Sequence, residues 1–127
     1  MTSQADEILR YARDALASSS GAAPALWARC SALLTRQALE VTLDDFWRRQ
    51  APGVRMASRH SQLLCLGTYQ GDPPLAAKVA YAWSALSNAC HYHSYELAPT
   101  GGEMEGWIET VEEFSTCCRK MSTQRRD

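Results

Sequence analysis

The chain has 127 residues, a length that fits a single domain, because folding at this size buries roughly two-thirds of the unfolded surface. Lysine and arginine together number 13 against 14 acidic residues, giving a formal net charge of -1. This balance excludes the strongly basic field of many DNA-binding domains but not a local basic patch. The five cysteines include no C-x-x-C pair, so the sequence indicates neither a disulfide framework nor a zinc ribbon.

The amino terminus, MTSQADEILR, is polar and acidic and lacks the apolar segment of a secretory signal. No apolar run approaches the roughly 18 residues that a membrane-spanning helix needs. Reduced thiols are the simplest account of an odd number of cysteines. We therefore expect a cytoplasmic protein without a membrane partner.

Two helices are predicted in the first part of the chain. Residues 4–18 carry apolar side chains at helical spacing, with acidic residues in the first turn, where the helix dipole favours them. Pro24 suits the first turn of a long second helix, in which Asp44 and Asp45 each precede an arginine by four residues. Thr42 followed by Asp45 resembles a weak capping box, so a kink or a restart at this point is compatible with the pattern.

Three further helices are predicted after the Ala-Pro-Gly stop at residues 51–53. The third covers about residues 55–69, and Asp72 in the following turn is placed to cap the fourth. The fourth helix must end before Pro99. Thr100 then opens a T-x-x-E capping box for the fifth helix.

Five helices with short connections and no alternating apolar segment indicate an all-α fold, a five-helix bundle with antiparallel neighbours. We expect one helical domain over residues 1–127, with an ordered core over about residues 4–118. Residues 119–127 are polar and basic and are predicted to fray.

The fourth predicted helix has two distinct sides. One side is an apolar stripe that should face the core, formed by Leu75, Val79, Ala82, Leu86, Cys90, His93 and Leu97. About 180° away lies a group of tyrosines and polar side chains, formed by Tyr81, Ser84, Asn88, Tyr92 and Tyr95 with His91 at its edge. This second side is too aromatic for an ordinary solvated face and predicts a contact surface.

The histidines of this helix should have different roles, because about 200° separates His91 from His93. His93 on the apolar stripe fits either a core histidine that donates one N–H or a catalytic group. His91 fits either a general acid or base, if an anion lies against it, or a surface histidine packed at an interface. Cys90 and His93 have the spacing of two metal ligands, but no third or fourth ligand is evident, and we predict no metal or cofactor.

The tyrosine side also admits two interpretations. Tyr81, Asn88, Tyr92 and Tyr95 are able to stack on and hydrogen-bond a nucleic-acid base. Tyrosines on a helix equally serve as packing against another helix or across a dimer.

A second candidate pair lies in the RMASRH segment. Arg55 precedes His60 by five positions, and Arg59 adds a charge beside them. A guanidinium that clamps a scissile phosphate and an imidazole that moves the 2′-hydroxyl proton would together cleave RNA. The same three residues also fit a solvated helix start.

The segment LSNACHYHSYELAPT, at the end of a long helix, resembles the HEPN superfamily of prokaryotic toxin–antitoxin, phage-defence and RNA-processing proteins. The resemblance implies an all-α homodimer and a metal-independent bacterial ribonuclease. In active members the motif is an arginine, four to six further residues and then a histidine. The motifs of the two copies in the dimer face each other. Asn88 stands five positions before His93 where that motif has arginine, whereas Arg55 and His60 keep the spacing one helix earlier.

Two functional hypotheses follow. In the first, a HEPN-like homodimer binds or cleaves RNA, with His93 or His91 as acid or base and Arg55 or Arg59 on phosphate. In the second, an inactive helical module binds itself or a partner protein through its tyrosine side.

Overall fold

The computed structural model describes residues 3–91 and 97–126, and within these ranges it contains α-helices and no strand. A short 3₁₀ turn, Ser18–Ser20, follows the first helix. The six helices are α1 Gln4–Ala17, α2 Pro24–Gln50, α3 Pro52–Arg55, α4 Arg59–Gln70, α5 Pro73–Cys90 and α6 Gly101–Arg126. The predicted all-α class is confirmed, but the described chain has six helices where we predicted five.

The long helix α2 lies at the centre and packs against α1, α5 and α6. Its buried side chains meet those of the other helices in one apolar cluster. Its large side chains include Leu9, Leu39, Leu43, Phe46, Trp47, Leu66, Leu86, Met104, Ile108 and Phe114. Because one cluster connects α1, α2, α4, α5 and α6, the loss of any of these helices would expose apolar surface on its neighbours.

The starts of α5 and α6 are stabilised by the capping residues that the sequence predicted. The Asp72 carboxylate accepts the N–H of Leu75 at 3.2 Å at the start of α5. The Thr100 hydroxyl accepts the N–H of Glu103 at 3.1 Å, and the Glu103 carboxylate accepts the N–H of Thr100 at 3.0 Å. Both predicted caps are confirmed, and each satisfies backbone donors that a helix start leaves without partners.

Helix α2 is continuous over its 27 residues, so the restart considered near its middle is not present. The Thr42 hydroxyl donates to the Ala38 carbonyl at 2.8 Å within the helix, instead of capping a new one. The Asp45–Arg49 ion pair that the spacing indicates is present, but the second pair is rearranged. Asp45 pairs with both Arg48 and Arg49, which leaves Asp44 to pair with Arg59 at 3.0 Å.

The predicted third helix is divided into α3 and α4. Ser58 caps α4 by accepting the N–H of Ser61 at 3.2 Å, so α4 starts four residues later than expected. The turn between the two helices is held by the buried amide of Gln62. Its Nε2 donates to the carbonyls of Val54 at 3.3 Å, Arg55 at 3.1 Å and Ala57 at 3.2 Å.

Helix α5 ends at Cys90, earlier than the boundary at Pro99 allowed, and the N–H of His91 closes it by donating to the Asn88 carbonyl at 3.2 Å. Residues 92–96 of the predicted helix lie outside the described residues. Helix α6 continues to Arg126, through residues where we expected the chain to fray. None of the described helices has the length and apolar composition to cross a membrane.

The Cys118 thiol on α6 generates a pH-dependent prediction. Burial raises the pKa of this thiol to about 12 from 9.0, with smaller contributions from Cys117 and from the Asp45 carboxylate. The unfolded chain therefore releases this proton at lower pH than the folded chain does. The free energy of unfolding must then fall between pH 9 and pH 12, by up to about 1.4 kcal/mol per pH unit.

Urea unfolding of wild type and Cys118→Ala at pH 7.5 and pH 10.5 measures the contribution of this thiol to the pH dependence of stability, because the other titrating groups are common to both chains. We expect the stability advantage of wild type over the variant to be smaller at the higher pH. An advantage that stays the same at both pH values contradicts the buried, protonated thiol.

Candidate functional site

One side of α5 faces solvent and carries several of the residues predicted to bind a partner. We define the α5 surface as Tyr81, Ser84, Ala85 and Asn88, which recur at helical spacing. Tyr81 is 70% exposed, a large fraction for an aromatic side chain. The opposite side of α5 is fully packed, so the helix presents this surface in a fixed orientation.

An open cavity of about 420 Å³ adjoins the α5 surface on the side of α6, and we call it the α5–α6 cavity. Its apolar wall includes Ala85, Ala89, Leu97 and Trp107. Leu97 is 97% exposed, so the described chain leaves this side chain uncovered. The remaining lining residues are Arg29, Tyr81, Ser84, Asn88, Ala98, Pro99, Thr100 and Glu103.

A second cavity of about 350 Å³ lies on the other side of the same surface, between α4 and α5. We call it the α4–α5 cavity, and it is lined by His60, Leu63, Leu64, Ala80, Trp83 and Ser84. Ser84 lines both cavities, so the α5 surface connects them.

Two arginines from different helices lie over the ring of Trp83. The guanidinium carbon of Arg36 is 4.7 Å from the ring centroid, and that of Arg59 is 5.7 Å away. Each arginine also has an acidic partner: Glu40 lies 3.7 Å from Arg36, and Asp44 lies 3.0 Å from Arg59. This cluster ties α2 and α4 to α5 and balances the charges of both arginines.

Arg29 on α2 fixes the end of α5. Its Nη1 atom donates to the carbonyls of Ala89 at 3.2 Å and His91 at 3.1 Å. These carbonyls belong to the helix end, where the dipole favours a cation. Arg29 therefore stabilises the end of α5.

The predicted site residues are only partly brought together. Tyr81 and Asn88 share one cavity, while His60 lies in the other. His91 is exposed at the end of α5. Arg55 is exposed on α3 and lines neither cavity. Tyr92, His93 and Tyr95 lie outside the described residues.

Sequence reasoning missed Arg29, Trp83 and Leu97. Arg29 and Trp83 act through contacts with residues distant in the chain, for which no local pattern exists. Leu97 was assigned to the core because it continued the α5 stripe, but α5 ends before it. Leu97 is instead exposed, which corrects the prediction that it belongs to the core.

The chemistry of Cys90 is that of a packed thiol. Burial raises the pKa of Cys90, and Glu40 adds to this effect while Arg36 opposes it. A raised pKa keeps the nucleophilic thiolate scarce at neutral pH. Among residues 3–91 and 97–126, no three histidine, cysteine or acidic side chains cluster closely enough to hold a metal ion.

Comparison with known proteins returns no relative. No protein-family model, no curated protein and no solved structure matches the chain.

Proposed function

We propose that the chain is a helical interaction module that forms a homodimer through the α5 surface. The observation that carries this proposal is Tyr81, an aromatic side chain 70% exposed on a helix whose other side is fully packed. Leu97 across the adjoining cavity adds apolar area that the described residues leave exposed and that a partner would remove from water. Aromatic side chains at the centre of a surface are the usual anchors of protein interfaces.

The charges around α5 favour a protein partner over a polyanion. Protein surfaces that bind nucleic acid contact its phosphates with basic side chains that are not neutralised by acidic neighbours. Beside α5, Arg36 pairs with Glu40 and Arg59 pairs with Asp44, while Lys78 lies 3.7 Å from Glu113. These partners leave the local charge near neutral, which suits a surface that meets its own copy.

The Ser84→Arg substitution tests this dimer. A long guanidinium side chain at the centre of the contact holds two helices apart and must be desolvated, so we expect the variant to be monomeric where wild type is dimeric. Sedimentation velocity measures the change. Ser20→Arg, on the exposed turn after α1, is the matched control and should remain dimeric.

Two results would overturn the proposal. One is a wild-type protein that stays monomeric at every concentration. The other is a Ser84→Arg variant that dimerises as tightly as the Ser20→Arg control.

A second candidate function, RNA binding or metal-independent RNA cleavage, rests on the α4–α5 cavity. His60 and Trp83 line it together, which sets a proton-transfer group beside an aromatic side chain. The HEPN resemblance supplies the reaction class, and a HEPN-like bacterial toxin or defence ribonuclease is the corresponding proposal. Arg55 and the two histidines after α5 are its other candidate residues.

This second candidate predicts that the protein cleaves a mixed RNA substrate in the presence of a chelator. His60→Ala, His91→Ala and His93→Ala then identify the acid or base, with an expected loss of about 100-fold or more for the residue that transfers the proton. Tyr11→Ala on α1 is the control for a surface substitution. Cleavage that persists in all three histidine variants, or that stops with chelator, contradicts the assignment.

A further inference from the structure

We draw no further inference here: the strongest candidate, an anion site in the cavity of about 440 Å³ between the start of α1 and the helices α2 and α6, carries none, because Asp45 and Asp6 already pair with its Arg49 and Arg119 and its rim at Ser3 adjoins residues outside the described part of the chain.

Discussion

The contact between Trp83 and the guanidinium groups of Arg36 and Arg59 joins α5 to α2 and α4 beside the packed core and so helps to hold the orientation of α5. Each such contact contributes about 0.5–1 kcal/mol near the surface, and more where the groups are desolvated. The ion pairs to Glu40 and Asp44 are individually weak, but here they hold the arginines in place over the ring. Because the cluster joins α2, α4 and α5, it adds to the core packing that fixes the rotation of α5 and turns the α5 surface toward solvent.

The functional proposals depend on that fixed rotation. With its packed side held by the core and by Trp83, α5 offers a partner only the α5 surface and the cavities beside it. Arg29 extends the constraint to the helix end by binding the carbonyls of Ala89 and His91. A surface held in this way loses little conformational entropy on binding, which favours association. The same rigidity would serve a dimeric ribonuclease, whose groups must converge across the contact.

The sequence was most informative for interactions between residues that are close together in the chain. Capping by Asp72 and by the Thr100 box depends on residues three positions apart, and the starts of α5 and α6 were predicted correctly from them. The division of α3 from α4 was missed, because the Gln62 amide that holds the turn looks like any polar helix residue. The site was harder, since the pairing of Arg59 with Asp44, 15 positions earlier, was not predicted when Arg59 was considered as a phosphate contact. Such tertiary pairing leaves no spacing signal, and the HEPN resemblance stays a prediction.

The most direct test of the central claim is an isotope-filtered nuclear Overhauser experiment on a mixture of labelled and unlabelled chains, which detects only contacts between copies. A homodimer through the α5 surface predicts signals between copies that include the Tyr81 ring protons. Signals between copies that arise only from helices other than α5, with none from Tyr81, would contradict the claim that the α5 surface is where this protein meets its partner.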